Sequence, residues 1–281
     1  VKTWRLKTGL FISLFIISAV YPSYAQNSSS QLGESVRLSS SLPSDLMLKE
    51  NVPQKYRLTT TWYNRDINGK ATGKFIINGE YTRALENHLV RWNRVNIQVF
   101  ENPEASGSDT LFQEWMEGFS YRSPEDIATP DLFRNFPADE SAHLLRTLIW
   151  DAVAFETFAW TFFDKLSLNK TLTPAEMDDF TVQMADWGTI RMKDLRLTWV
   201  GISEMNGETC ALIHYESFMN PVRSLGINGR SLYWGMVWVS LEDKQIEYAT
   251  LNEDVTMEVV ASSQSGKFLN IQRDVEFHKI Q

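Results

Sequence analysis

From residue 56 the chain alternates between apolar and polar positions. Tyr56, Leu58, Thr60 and Trp62 fall on one side, and Arg57, Thr59, Thr61 and Tyr63 on the other. A period of two predicts a half-buried strand. Asn68-Gly69 follows, a hairpin signal because both positions accept positive φ, and residues 75–77 read as the return strand. Asn78-Gly79 predicts another turn, with 81–85 and 89–100 as the next pair. Residues 102–109 read as a loop, and 111–121 fit either strand or helix. Further on, 195–205 and 208–218 flank Asn206-Gly207 as a second clear hairpin. Residues 220–230, with Pro221 and Asn228-Gly229, read as a loop. Strands are then expected at 232–241, from 245 to 251 or beyond, at 255–259 and from 269 onward. In the last of these Arg273 interrupts the apolar face Leu269, Ile271, Val275, Phe277.

The middle of the chain has a different period. Residues 139–166 contain no Gly or Pro, and Leu145, Leu148, Ile149, Ala152, Phe155, Ala159, Phe162, Phe163 and Leu166 recur at helical spacing. Trp150, Val153 and Trp160 widen the apolar arc, so the helix is expected to be buried on most sides. Asp139 or Ser141 is its expected cap, and Thr173-Pro174 with Glu176 predicts a short second helix. Ser44 is read as the cap of a short helix over 45–50.

Strands, one long apolar helix and strands again predict an α+β fold: a large, curved, mainly antiparallel sheet of about eight to ten strands, an open half-barrel packed around the helix. The expected organisation is a signal peptide over 1–25, a flexible Ser-rich lead-in over 26–50, and one domain over 51–281. That domain has strands in 55–121, helices in 139–180 and strands in 194–279.

The leader reading rests on Lys2, Arg5 and Lys7, a twelve-residue apolar core from Gly9 to Val20, and small residues at Ser23 and Ala25 before the cut. Such a core spans about 18 Å as a helix, short of a ~30 Å hydrocarbon layer. Export to the periplasm is therefore expected, with full secretion as the alternative, and no membrane span is expected after cleavage. Loss of the three basic residues takes the formal charge from −8 to about −11. An acidic chain without a basic run is a poor partner for nucleic acid. One cysteine, Cys210, allows no intrachain disulfide, so a packed core must hold the domain together.

This layout resembles the lipoprotein-localisation superfamily of the diderm periplasm, with its lipoprotein carrier, outer-membrane receptor and envelope-stress sensor. The features behind the resemblance are the leader, the hairpins at Asn68-Gly69 and Asn206-Gly207, and the helix between two β blocks. It covers most of 50–281 as a layout, with no motif matched residue by residue. It implies an unclosed barrel around helices that roof an apolar cavity, and a soluble member without a lipid-attachment cysteine.

Chemistry is sparse. No G-x-S-x-G string occurs, and Cys210 and His214 stand about 13 Å apart along one strand. Four scattered histidines and the lack of H-E-x-x-H or paired C-x-x-C predict no metal, and no cofactor is expected. Asp151 and Glu156 interrupt the apolar helix, either as its narrow wet side or as buried acids. The first functional reading is non-catalytic binding of an apolar ligand such as acyl chains, with an envelope protein as a further partner. Trp150, Phe158, Trp160, Trp234 and Trp238 are the expected cavity lining, and Arg273 the expected holder of an anionic group. The alternatives are a carboxylate-based hydrolase and a carbohydrate- or protein-binding module using Trp234 and Trp238.

Overall fold

The computed structural model describes residues 42–43, 45–50, 52–123, 130–134, 136–137, 140–177, 181–183, 188–224, 227–260 and 267–280. The expected leader, most of the lead-in, Ser44 and Asp139 lie outside these residues, and residues 45–50 form no helix.

The strands are β1 (Gln54–Arg65), β2 (Ala71–Arg83), β3 (Leu89–Val99), β4 (Asp109–Phe112), β5 (Ser120–Arg122), β6 (Thr171–Leu172), β7 (Thr181–Gln183), β8 (Thr189–Arg191), β9 (Arg196–Met205), β10 (Glu208–Ser224), β11 (Ile227–Ser240), β12 (Ile246–Val259) and β13 (Lys267–Ile280). The single α-helix among the described residues, α1, covers Glu140–Glu156. The thirteen strands form one open sheet in the order β4-β3-β2-β1-β13-β12-β11-β10-β8-β7. β5 lies beside β3, β9 beside β10, and β6 beside β9. Every pairing among the named strands is antiparallel. The expected sheet-dominated α+β architecture is present, with more strands than the pattern suggested.

The two strongest hairpin signals fold as turns: Gly69 has φ +80°, and Asn206 and Gly207 have φ +53° and +85°. The Asn78-Gly79 turn does not form, because β2 continues through it, with a shift of register against β3 between Asn78 and Glu80. A Cβ on Gly79 would stand 3.1 Å from the Trp92 ring, so the glycine serves close packing rather than a turn. The loop expected at 220–230 is instead the tip of the long β10–β11 hairpin, with Pro221 paired to Arg230 and Asn228 to Arg223.

One sheet face carries the core. Tyr56, Tyr81, Trp92, Tyr215 and Phe277 on the sheet, and Phe155, Phe158, Phe162 and Phe163 on or just after α1, are almost fully buried. Phe158 stacks on Tyr215 at 4.2 Å and Phe155 on Phe277 at 5.4 Å. Each such side chain contributes about 1.5–3 kcal/mol by leaving water, which lets the domain hold without a disulfide. α1 is shorter than the apolar run. It passes into a π-turn over Thr157–Thr161 and then a 3₁₀ turn over Phe163–Lys165. Where the short helix is expected after Thr173, the described residues form a 3₁₀ turn, Ala175–Met177. No helix among the described residues is long and apolar enough to cross a membrane.

Candidate functional site

Two acidic side chains project from α1 into the core, and the sheet answers each with an arginine. Asp151 is buried and accepts from Arg273 Nη2. Arg273 Nη1 donates to Glu253 Oε2 at 2.5 Å, and Ser231 Oγ donates to Glu253 Oε1 at 2.5 Å. The guanidinium lies 4.8 Å above the Trp62 ring. Burial holds the Asp151 carboxyl up at about 6. The charge and hydrogen bond of Arg273 lower it less than burial raises it, and Glu253 adds a further rise. For Arg273 burial acts downward, but Asp151 and Glu253 together push its proton affinity above the ordinary arginine value.

Five residues along, Glu156 accepts from Tyr81 Oη at 2.8 Å, Arg83 Nε at 3.2 Å and Ser123 Oγ at 3.3 Å. Burial raises its carboxyl, and Arg83 opposes the rise. Arg83 also donates to Gln245 Oε1 at 3.2 Å and to Glu50 Oε1 at 2.9 Å, and it stacks 4.2 Å from the Trp160 ring. This cluster forms the wall of a pocket of about 320 Å³, rimmed by residues 84–88 with Glu50 and Ser123. Ala84, Asn87 and His88 adopt φ of +57°, +60° and +58°, a strained arrangement for residues other than glycine.

The two α1 acids are therefore ion-paired in the interior and do not form a wet stripe. Glu253 and Arg83, neither of them among the expected site residues, complete their sites. A strand reading carried through Glu253-Asp254 would have placed Glu253 on the inner face with Leu251, opposite Arg273.

The six side chains expected at one ligand site, five as cavity lining and Arg273 as anion holder, do not come together. Phe158 lies in the packed core against Tyr215. Trp160 donates to the Lys244 carbonyl at 2.7 Å, and Trp150 faces Phe133 at 6.4 Å. Trp234 and Trp238 alternate with the buried Tyr233 and Val237, so they sit half-buried on the outer sheet face, away from α1. Trp238 meets Tyr248 there at 5.2 Å. Of the six, Arg273 lies in the polar cluster around Asp151, and Trp160 borders the one around Arg83. Cys210 is fully buried, and burial pushes its thiol well up. Among the described residues no group of three or more His, Cys, Asp or Glu is placed to hold a metal ion.

The inner face continues past the packed core. On β13 exposure rises from Arg273 at 7% through half-buried Ile271 to Leu269 at 43%. Val255 and Met257 of β12 pair with Ile271 and Leu269, and Phe75 and Val99 flank Trp62 on the other side. The fold and site thus define an open antiparallel sheet whose inner face is filled by its own helix over part of its length and is apolar and part-exposed beyond.

No family model matches the chain, and no curated protein matches it. Among solved structures it is similar to lipovitellin, in a structure described as showing lipid–protein interactions in that protein. The match covers 82% of this chain and 25% of lipovitellin, with 10% identity and a TM-score of 0.41. The chain spans about a quarter of that protein's length.

Proposed function

We propose that this chain is an exported, non-catalytic binding protein for a ligand with an acyl-like apolar body, laid against the inner sheet face beside α1. The observation that carries the reading is the row Phe75, Trp62, Ile271, Leu269, Met257 and Val255, which continues the core face outward with rising exposure. An apolar surface that joins a core and opens to solvent is suited to an apolar guest. Export rests on the leader pattern of residues 1–25. Native mass spectrometry of the purified chain tests the binding. A co-purified lipid, or a 1:1 adduct with added fatty acid, is expected; bare polypeptide under both conditions overturns it. N-terminal sequencing of secreted material should begin at Gln26, and an intact leader would remove the export part.

A second reading, a carboxylate hydrolase, is favoured by one observation: Glu156, with only a small part of its side chain exposed, lines the pocket with Arg83, Glu50, His88 and Ser123. Turnover of chromogenic esters or glycosides that Glu156→Gln abolishes in a folded protein would support it. Equal, background turnover in both proteins would remove it.

A further inference from the structure

Two buried N–H groups beneath α1, Trp62 Nε1 and Arg273 Nε, are among the buried polar atoms that lack a partner in the described residues. Their side chains are more than nine-tenths buried, and the two residues stand directly opposite each other on β1 and β13. Buried N–H groups without partners are rare in native proteins, and two at one place point to an acceptor that enters. Just above them α1 lays an apolar stretch, Leu148, Ile149, Ala152 and Phe155, that carries a single carboxylate, Asp151, onto Arg273. An apolar body with one carboxylate is the chemistry of a fatty acid.

We propose that Arg273 and Trp62 form the head-group site for a long-chain carboxylate, and that Asp151 occupies this site as a built-in substitute when the ligand is absent. The proposal rests on the reading of the inner face as an apolar-ligand surface. The ligand binds by exchange and not by addition. Arg273 already faces two carboxylates, and a third beside them would leave two uncompensated negative charges in the interior. Exchange removes Asp151 and restores the balance, while the guanidinium fork and the indole N–H take the two oxygens of the incoming head. Asp151 is an imperfect occupant, since burial already disfavours its charged form. The π-turn Thr157–Thr161 directly after α1 is a break in helical regularity of the kind found at functional hinges, and it lets α1 move while Phe162 and Phe163 stay packed. Ile271 and Leu269 mark the path for the acyl chain from the head site to solvent.

The test uses the fluorescent fatty acid cis-parinaric acid and its methyl ester, titrated into the full chain, into Asp151→Asn and into Trp62→Phe. The asparagine keeps the volume of Asp151 but holds Arg273 less strongly, so the acid should bind about tenfold more tightly than to the parent chain, with the ester unchanged. Trp62→Phe deletes an unpartnered donor but keeps an aromatic ring in the apolar row, and it should lower the preference for acid over ester several-fold. If acid and ester bind alike in all three proteins, the head-group site is wrong while the apolar surface stands. If neither binds the parent chain or the variants, the apolar-ligand reading fails and this inference with it.

Discussion

Arg273 on β13 donates to Asp151 on α1, joining a strand in the middle of the sheet to the helix across 122 positions of sequence. With Glu253 on the other side of the guanidinium, the contact is a buried triad and not a surface pair. Removing its centre should therefore cost far more than an exposed ion pair is worth. Arg273→Met strands two carboxylates and is expected to lower stability by about 3–5 kcal/mol. Replacing all three with apolar residues, Asp151→Leu, Arg273→Met and Glu253→Leu, should recover most of that. Urea unfolding of the single and triple variants decides the matter, and a triple variant no more stable than the single one would contradict it.

The same triad sets a pH dependence. Asp151 sits at about 6 in the folded chain against an ordinary value of 3.8. A carboxyl raised on folding binds its proton more readily in the native state, so its stabilising contribution is complete below about 4 and is lost as pH rises through 6. The parent chain should gain stability relative to Asp151→Asn as pH falls from 7 to 4. Paired urea midpoints at intervals over that range give the measurement. A constant difference would show that the carboxyl titrates alike in both states.

Gly235 is predicted to be irreplaceable. The Tyr215 ring crosses it, and its hydroxyl donates to the Thr250 carbonyl at 2.6 Å. A Cβ at Gly235 would stand 1.9 Å from that carbonyl oxygen and 2.5 Å from the Tyr215 hydroxyl. Gly235→Ala must shift a central strand and should cost at least ~1–3 kcal/mol. Thermal unfolding should show a marked drop, whereas Gly107→Ala, with open space around its Cβ, should change little.

Cys210 should behave as a core atom. It is buried, and its thiolate is disfavoured by burial and by Glu247 and Glu208 nearby. A disulfide reagent should label it only at the rate of unfolding, and adding denaturant should release a single fast-reacting thiol. Rapid labelling of the native chain would mean that β10 opens locally.

Period two made most of the sheet legible, because inner positions such as Tyr56, Leu58, Val275 and Phe277 must leave water together. Local turn chemistry was less reliable. Asn78-Gly79 has the composition of a hairpin, yet Trp92 of a neighbouring strand takes the space its glycine leaves, a contact that no window of sequence contains. Asn228-Gly229 is likewise absorbed into β11, whose partner positions on β10 and β12 lie outside that stretch. The candidate site was half legible. Asp151, Glu156 and Arg273 stand out as charges in apolar patterns, but Glu253 and Arg83 lie among other polar residues, and only strand pairing brings them beneath α1. Trp234 and Trp238 show the opposite failure. Alternation groups them with Met236 correctly, but it does not say which face of the sheet is the inner one.

The pairing of β1 with β13 has a consequence for when the domain can fold. Lys55 lies opposite Ile280, and the register holds through Arg65 and Asn270. The β1–β3 block and the β9–β12 block are each joined largely by short hairpins and can form early, but the seam between them waits for β13 to be synthesised. Closing it brings together positions more than two hundred residues apart, a slow step by loop entropy. Until then β1 and β12 each present an unpaired edge beside an apolar face, so a ribosome-bound chain ending before residue 267 should be the species most prone to aggregate.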